Sequence, residues 1–451
     1  MSRSPSIVWF RDDLRVADHP ALTAAVGRSE PVVLLFLLDE GSEGIRRLGG
    51  ASRWWLHGSL RALESRLAAL GGRLVLRRGA AEEVLPDVVR ETGAGAVFWN
   101  RRYGPSREVD ARLKQRLRDD GVDVHSFAAN LLVEPHSLTT EQGTPYQVFT
   151  PFWRAIQQQP MREPLPAPGR IDGSDAEGDE LADWHLLPAD PDWAAGLRAM
   201  WRPGEDDAAR RLEEFARGIL QHYDRRDEPA QPVTSRLSPS LRFGELSPAQ
   251  VRHRLHEPLE APARRNAPKF LSELGWREFT HHLLFHEPEL ATRNHRPQFD
   301  SFPWNEPDPA ELRAWQQGRT GIPLVDAGMR ELWATGFMHN RVRMVSASFL
   351  IKNLLVDWRI GEQWFWDTLV DADEASNPGN WQWVAGSGAD AAPYFRVFNP
   401  ELQAKKFDPD GEYLRRWIPE LGTDAYPEPM VDLAQTRRDA LAAYELVKAA
   451  R

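Results

Sequence analysis

The sequence predicts an α/β domain with a doubly wound, parallel five-stranded sheet, then a long connector and an all-helical domain. Apolar runs alternate with helical patterns over the first 130 residues, and this alternation stops where prolines and acidic residues cluster. Helical periodicity then continues almost to the end of the chain. Strands that alternate with helices form right-handed crossovers, and therefore a parallel sheet. We expect an α/β domain at 1–130, a connector at 131–200 and a helical domain at 201–451.

Five apolar runs have the length and composition of buried strands. They are Ile7–Phe10, Val32–Leu38, Arg73–Leu76, Ala96–Trp99 and Val122–Phe127. Helical patterns between them cover Ala21–Val26, Trp54–Leu70, Glu82–Glu91 and Arg107–Arg118. The glycine-rich turn of dinucleotide-binding folds is missing after the first strand, where Arg11–Arg15 stands instead. The sequence therefore predicts no nicotinamide site at this turn.

The connector is rich in proline, which favours a long segment that crosses the surface. Beyond it, helical patterns cover Asp207–Leu220, Pro248–Arg254, Pro268–Phe285, Pro309–Gln317, Leu324–Thr335, Arg341–Val356 and Gly361–Leu369. Two of them open with a capping residue followed by proline, Ser247-Pro248 and Asp308-Pro309. Such pairs are typical of the first turn of a helix.

Composition limits the classes of function. The 451 residues contain no cysteine, which excludes disulfides, thiolate nucleophiles and cysteine-bound metals. There is no His/Glu motif of the zinc type, so we expect no metal. No apolar stretch approaches the roughly 20 residues that a membrane span needs, and the N-terminus has no apolar signal core. We expect a cytoplasmic protein without a membrane partner.

The charge distribution leaves a nucleic-acid partner open. The net charge is −10, but acidic residues are concentrated between Asp172 and Asp207. Basic residues gather elsewhere: Arg264, Arg265, Lys269, Arg293, His295, Arg296, Arg341, Arg343, Lys405, Lys406, Arg415 and Arg416. They form either ordinary solvated faces or a local basic surface. The 18 tryptophans exceed what a core requires, and tryptophan both stacks on planar ligands and loses an electron easily.

The segment Asp371–Trp383 is the most informative in the chain, and it leads into Ala391–Pro400. Carboxylates and amides suit a buried heteroaromatic ring, whose polar edge atoms all need partners. The alternative is a structural loop with capping aspartates. Upstream, Thr234–Pro239 combines three hydroxyls with an arginine, which suits a phosphate group, although Ser-Pro is also a common helix cap.

Two helices carry further candidate residues. In the segment Gly336–Met344, Asn340 and Met344 are four residues apart and share a helix face. Arg343 is placed to pair with a buried carboxylate, and Arg341 to bind a backbone phosphate. Glu273 and Trp276 share a face of another helix, where a surface carboxylate beside a half-buried aromatic ring is the simpler interpretation.

Together these motifs resemble the photolyase/cryptochrome family. The resemblance rests on Val8–Arg15, Thr234–Pro239, Gly336–Met344 and Asp371–Asn399, and it covers nearly the whole chain. It implies an α/β domain that binds an antenna chromophore and a helical domain that binds FAD and DNA. The implied antenna is 5,10-methenyltetrahydrofolate, with a deazaflavin as the alternative. The segment Asn100–Glu108 lies where relatives hold this chromophore.

The resemblance also implies the residues that bind FAD. Its phosphates would contact Tyr223, Thr234, Ser235, Arg236, Leu237 and Ser238. Its adenine, ribose and flavin edges would contact Asn340, Arg343, Asp371 and Asp373. Arg343 would pair with Asp371, and Asn377 matches the residue that faces flavin N5. An amide at this position hydrogen-bonds several redox states without delivering a proton.

The implied activity is light-driven repair of cyclobutane pyrimidine dimers in UV-damaged DNA by a monomer, associated with the nucleoid when bound. Contacts to DNA and the lesion would come from Glu273, Trp276, Asn340, Arg341, Met344, Trp383, Arg396 and Gln403. Trp381, Trp358 and Trp304 match the chain of electron donors that reduces the flavin. Glu273, Asn377 and these three tryptophans are the implied catalytic residues.

Three alternatives stay open. A cryptochrome receptor would keep the flavin without repair, but Asn377 favours repair, because the receptors of plants and insects resemble this motif with Asp or Cys there. The absence of a long tail after Ala449 points the same way. An enzyme for the six-four photoproduct would carry histidines in place of Asn340 and Met344. A flavin oxidoreductase is disfavoured because no nicotinamide site is recognisable.

Overall fold

The five apolar runs form one parallel sheet in the computed structural model, which describes residues 4–174, 176–391 and 395–449. The strands are β1 (Ser6–Phe10), β2 (Val32–Leu38), β3 (Leu74–Arg78), β4 (Ala96–Asn100) and β5 (Asp123–Phe127). Their order is β3-β2-β1-β4-β5, and all four pairings are parallel. The predicted fold class is confirmed. The third strand begins at Leu74 rather than Arg73 and extends to Arg78.

Four helices cover the two faces of the sheet: α1 (Pro20–Gly27), α2 (Gly50–Ala69), α3 (Ala81–Thr92) and α4 (Ser106–Asp119). Alternate residues of a strand point to opposite faces. Val8 and Phe10 therefore join the core beneath α1 and α2, whereas Ile7 and Trp9 join the core beneath α3 and α4. From β1 the chain continues through β2 to β3 on one side of the sheet, and it then continues through β4 to β5 on the other side. The carboxyl ends of β1 and β4 form the switch point at which such sheets bind ligands.

The connector is more regular than its prolines predict. It contains α5 (Phe149–Gln157) and α6 (Ala195–Met200), together with the short 3-10 helices Pro135–Ser137 and Leu181–Trp184. Phe149, Phe152 and Ile156 of α5 pack with residues of the helical half, and Trp184 packs on Phe36 of the sheet. These apolar residues anchor the connector to both halves. The domain boundaries at 130 and 200 stay a prediction.

The remainder of the chain is helical. Its α-helices are α7 (Glu205–Glu214), α8 (Ser238–Arg242), α9 (Pro248–His256), α10 (Ala261–His286), α11 (Pro309–Gln316), α12 (Pro323–Thr335), α13 (Asn340–Ser348), α14 (Trp358–Thr368), α15 (Ser376–Ala385), α16 (Pro400–Phe407), α17 (Glu412–Trp417) and α18 (Leu433–Ala449). Shorter elements are the π-helices Phe215–Ile219 and Phe349–Asn353 and the 3-10 helices Leu220–Arg225 and Pro297–Ser301.

Several predicted helices have different bounds. The helix expected over Asp207–Leu220 begins at Glu205 and ends as an α-helix at Glu214, where a π-helix follows. The helix expected from Pro268 starts at Ala261, because Pro262 supplies the proline of the first turn and Pro268 lies inside the helix. The helix expected over Arg341–Val356 ends as an α-helix at Ser348 and continues as the π-helix. Within the described ranges, no helix is long and apolar enough to cross a membrane.

One close helix contact positions the tryptophan-rich core. A Cβ atom on Gly361 of α14 would lie 2.2 Å from the indole of Trp381 on α15. A side chain larger than hydrogen at position 361 therefore requires Trp381 to move. Trp315, Trp358 and Trp381 are buried in the same cluster, so α11, α14 and α15 share one aromatic core.

Candidate functional site

A bidentate ion pair joins α13 to the loop before α15. Arg343 donates from Nη1 to Oδ1 of Asp371 at 3.0 Å and from Nη2 to Oδ2 at 2.9 Å. Its Nε donates to the carbonyl of Met338 at 2.7 Å. Ser238 donates from Oγ to the same carboxylate at 2.6 Å. The Asp371 side chain is 4% exposed and that of Arg343 is 23% exposed, so the predicted pair is present and one edge of it stays open.

The loop 234–238 presents an arginine that lacks a hydrogen-bonded anion. Thr234, Ser235 and Arg236 are half-buried, and Arg236 has a left-handed φ of 53°. Within the described part of the chain, Arg236 makes no hydrogen bond. Burial lowers the pKa of its guanidinium, and a buried charge is costly unless an anion faces it. Leu237 is buried beneath the loop. Arg236 and the hydroxyls of Thr234 and Ser235 are therefore the side-chain groups of this segment that remain available to a phosphate.

Asn377 is held by a residue that the sequence analysis missed. Its Nδ2 donates to the main-chain oxygen of Glu362 at 3.0 Å and to Oε1 of Glu362 at 2.7 Å. Arg46, from the loop after β2, donates to both carboxylate oxygens of Glu362 at 2.7 and 2.8 Å. Both N–H groups of the Asn377 amide are therefore engaged, and its oxygen is the atom left to accept from a ligand.

Asp373 has a structural role, which the sequence analysis gave as the alternative to ligand binding. Its Oδ1 accepts from the backbone N–H of Ala375 at 2.8 Å and of Ser376 at 2.5 Å, which fixes the start of α15. The two aspartates of this motif thus differ: Asp371 is held by side chains, and Asp373 binds backbone N–H groups at the start of α15. The implied contact of Asp373 with FAD stays a prediction.

His339 connects the start of α13 to the segment after α7. Its Nδ1 accepts from the backbone N–H of Arg341 at 3.2 Å, and its Nε2 donates to the carbonyl of Arg226 at 2.8 Å. Burial lowers the pKa of His339 to about 4, so the ring is neutral at pH 7 with its proton on Nε2. The ring of Tyr223 packs edge-on against both Phe215 and Phe270.

Glu273 is joined to the same region by charged groups. Lys269 donates to Glu273 at 2.7 Å, and Nε of Arg226 lies 3.7 Å from it. Because Arg226 also bonds to His339, the structure places Glu273 and Asn340 on neighbouring elements. Asn340 is exposed and available to a ligand.

Four other predicted contact residues already have partners. Arg341 pairs with Asp227 at 3.0 Å, and Trp276 stacks on Phe149 with ring centroids 3.9 Å apart. The indole of Trp383 donates to the carbonyl of Asp390 at 3.2 Å, and the guanidinium of Arg396 lies 5.7 Å from its ring.

The other two predicted contact residues are Met344 and Gln403. Met344 is half-buried, and Oε1 of Gln403 is buried with no hydrogen-bond partner among the described residues. Of the motif Ala391–Pro400, positions 392–394 lie outside the described residues.

The three tryptophans of the implied electron chain lie in or against one hydrophobic cluster. Trp381 and Trp358 are buried, and Trp304 is half-buried. The ring of Trp381 lies 4.9 Å from Phe365 and 6.4 Å from Trp315. Trp315 was not singled out from the sequence, because only its spatial neighbours distinguish it from other core tryptophans.

A cleft opens between the two halves at the carboxyl ends of β1 and β4. Its volume is about 1130 Å³, counting the open mouth. Charged and polar lining residues include Arg11, Asp12, Arg46, Arg101, Arg102, Arg242, Arg277, His281, Asp373 and Glu374. This is the switch point of the sheet, and the segment Asn100–Glu108 contributes to its wall. No group of three or more metal-ligating side chains occurs among the described residues.

Comparisons with known proteins match both halves. The chain fits the family model of DNA photolyase over residues 6–169 and that of the FAD binding domain of DNA photolyase over residues 270–423. It is 49% identical to deoxyribodipyrimidine photo-lyase of Agrobacterium fabrum, covering 99% of both chains. It is 41% identical to cryptochrome-1 of Arabidopsis thaliana, covering 92% of this chain and 63% of that protein.

Solved structures agree in fold over the whole chain. The crystal structure of a bacterial class III photolyase from Agrobacterium tumefaciens matches with a TM-score of 0.95 and 48% identity, covering 100% of this chain and 98% of that one. An archaeal photolyase from Sulfolobus tokodaii, which contains two FAD molecules, matches with a TM-score of 0.85 and 30% identity, covering 98% and 100%.

Proposed function

Because this chain belongs to the photolyase/cryptochrome family, we propose that it repairs cyclobutane pyrimidine dimers in DNA with the energy of blue light. The observation that carries the proposal is the open edge of the Arg343–Asp371 pair, together with the free amide oxygen of Asn377. These fixed polar groups suit the edge of a flavin. FAD supplies, when reduced and excited by light, the electron that opens the dimer.

The residues of the helical half fit FAD in two separable ways. Arg236, with the hydroxyls of Thr234 and Ser235, supplies charge and hydrogen bonds for a diphosphate, while Ser238 lies beside them with its hydroxyl donated to Asp371. Arg343, Asp371, Asn340 and Asn377 supply donors and acceptors for the rings and the ribose, and Tyr223 and Leu237 complete the contacts to the phosphates. Asp373 orients the start of α15 and so positions Asn377.

Glu273, Asn340 and Met344 are proposed to contact the dimer. A dimer must leave the base stack to reach a flavin, and its poor pairing lowers the cost of extrusion. Glu273 accepts hydrogen bonds from a pyrimidine edge, and Asn340 and Met344 provide an amide and an apolar contact. Trp276 and Trp383 pack beside the bases, while Arg341, Arg396 and Gln403 contact the DNA backbone or the rim of the lesion.

The three clustered tryptophans are proposed to refill the flavin with electrons. Trp381 donates first and is itself refilled through Trp358 and Trp304. Burial in one aromatic core keeps the first two indoles rigid and dry. The half-buried Trp304 provides the end of the chain nearest to solvent.

The interdomain cleft is proposed to hold the antenna chromophore. Its arginines suit the carboxylates of a folate tail, and its carboxylates suit the N–H groups of a pterin ring. We therefore retain 5,10-methenyltetrahydrofolate as the antenna, with a deazaflavin as the alternative and a second FAD as a further one suggested by the Sulfolobus enzyme. An absorption spectrum of the purified protein distinguishes them, because each chromophore has its own near-ultraviolet or visible band.

We also propose that the enzyme acts as a monomer in the cytoplasm, at the nucleoid when it is bound to damaged DNA. One protomer carries all of the residues assigned above. Size-exclusion chromatography with light scattering tests the oligomeric state, and a dimer as the active species would contradict it.

The function is tested with DNA duplexes that each carry one defined lesion. Reduced protein under blue light is expected to convert a cyclobutane dimer to two thymines and to leave the six-four photoproduct unchanged. A flavin-loaded protein that converts neither lesion would instead be a receptor of the cryptochrome kind.

A further inference from the structure

Where the two halves of the molecule meet, a series of hydrogen-bonded side chains ends at Asn377. Arg46 belongs to the loop after β2, Glu362 to α14 and Asn377 to α15. Arg46 binds Glu362 through two hydrogen bonds of 2.7 and 2.8 Å, and Glu362 accepts the Asn377 amide at 2.7 Å. The three side chains are thus linked by direct hydrogen bonds, with no gap between them.

Each link has a restricted geometry. The Glu362 side chain is 3% exposed, so water does not compete for its carboxylate. The guanidinium of Arg46 also lies 4.0 Å from the ring of Trp366, which confines it to the plane that binds both carboxylate oxygens. With Oε1 and the main-chain oxygen of Glu362 both accepting, only the NH₂ group of Asn377 can face α14.

We propose that Arg46 is a positioning residue that, through Glu362, makes Asn377 present its oxygen rather than its NH₂ group to the flavin. This inference rests on the proposed flavin site. A carbonyl oxygen accepts from the N5–H of a reduced flavin but meets a lone pair on N5 of the oxidised flavin. The arrangement therefore favours the reduced form that repair requires.

Loss of Arg46 removes the anchor of this arrangement. The buried Glu362 carboxylate is then unpaired, which is unfavourable, and it leaves its present position. Asn377 becomes free to turn its NH₂ group toward N5. We expect the midpoint potential of bound FAD to become more negative.

The test compares the flavin midpoint potentials of full-length, FAD-loaded variants. Arg46→Met keeps an apolar stem over Trp366 and is expected to lower the reduced-to-oxidised ratio at least tenfold, which is about 30 mV for a two-electron couple. Arg46→Lys keeps the charge and is expected to restore part of the potential. Arg47→Met, at the exposed neighbouring position, is the matched control and is expected to have no effect.

A double-variant cycle separates positioning from a direct electrostatic effect of the arginine. In an Asn377→Ala background, Arg46→Met is expected to leave the potential unchanged. An equal shift in both backgrounds, or no shift in the native background, would overturn the proposal. If Arg46→Met does not fold, Glu362→Leu removes both the ion pair and the side-chain acceptor of the Asn377 amide, and an unchanged potential there would overturn it equally.

The proposed role of Arg46 and the proposed repair function can fail separately. Flavin-loaded protein that repairs dimers and shows no shift contradicts the role of Arg46 alone. Native protein that binds no FAD contradicts both.

Discussion

Two arginines, the buried Arg15 and the half-buried Arg343, distinguish a region that holds the fold from a region built for a ligand. Arg15 is fully buried and donates to the main-chain oxygens of Asp18, Ala129 and Gly244 at 3.1, 3.1 and 2.8 Å. Arg343 binds the carboxylate of Asp371 and retains 23% exposure of its side chain. The first network is closed by backbone atoms, whereas the second has an open edge.

This difference shows how structural and functional polar groups are told apart. A polar side chain whose partners are backbone atoms from several segments fixes how those segments meet. The residues around Arg343 are side chains that bind one another and still have unused hydrogen-bonding capacity. Arg236 and the oxygen of Asn377 extend the same open set. The Arg15 region is therefore expected to govern folding, and the Arg343 region to govern flavin binding.

The largest effect is expected from Arg15→Met, which breaks the closed network. Three buried carbonyl oxygens lose their donor, and each unsatisfied group costs about 1–3 kcal/mol. Urea unfolding should show a loss of at least ~3 kcal/mol with FAD absent as well as present. Arg73→Met, at an exposed position just before β3, serves as the control. A small change in the free energy of unfolding would mean that the contact between the two halves does not depend on Arg15.

Next in size, Asp371→Asn should open the second network and release FAD while the fold remains. The amide cannot accept both guanidinium hydrogen bonds and the Ser238 hydroxyl as the carboxylate does, so we expect flavin affinity to fall by about 100-fold. Flavin absorbance per protein after dialysis measures this, alongside unfolding of the flavin-free protein. Asp367→Asn, an exposed carboxylate on α14, is the control. Full flavin retention would rule out the assigned role of Asp371.

A smaller and more selective effect is expected from Trp381→Phe. Photoreduction of the bound flavin should slow by about tenfold or more, because phenylalanine is harder to oxidise than tryptophan, whose indole is the cation-binding, electron-rich ring. Repair by enzyme reduced chemically beforehand should stay near the native level. Trp315→Phe tests whether the neighbouring indole takes part. Repair lost in the pre-reduced Trp381 variant would show that the residue acts on the dimer or the fold instead.

The smallest effect is expected from Glu273→Ala. Loss of one charge-assisted hydrogen bond to the lesion is worth about 1.5 kcal/mol, or roughly tenfold at most in binding or repair yield. Flavin content should not change, because Glu273 lies at the rim with Lys269 and Arg226. Lys269→Met is the control for the altered surface charge. Release of FAD from the Glu273 variant would place this carboxylate in the flavin-binding network.

Short-range patterns predicted the fold and one part of the site. Buried strands are continuous apolar runs, so all five were located within a few residues. The pair of Arg343 and Asp371 was implied by the family resemblance, and the two residues lie only 28 positions apart in the sequence. Helix α5 was missed because the surrounding prolines outweighed its three buried apolar residues, Phe149, Phe152 and Ile156.

Long-range partners account for what the sequence did not reveal. Arg46 and Glu362 are 316 positions apart, and no local period relates them. The stacking of Trp276 on Phe149 likewise depends on where the connector crosses α10. Asp373 could be read from sequence as a structural residue or as a ligand, and only its hydrogen bonds to the N–H groups of Ala375 and Ser376 show the structural role.

The proposed light-driven repair of cyclobutane dimers is tested by measuring whether repair depends on light. Purified protein with chemically reduced flavin is mixed with UV-irradiated thymine oligonucleotides, and recovery of the ultraviolet absorbance of intact thymine is followed in blue light and in darkness. We expect recovery only in the light, and none in the first turnover when the flavin is kept oxidised. Equal recovery in darkness would contradict this proposal.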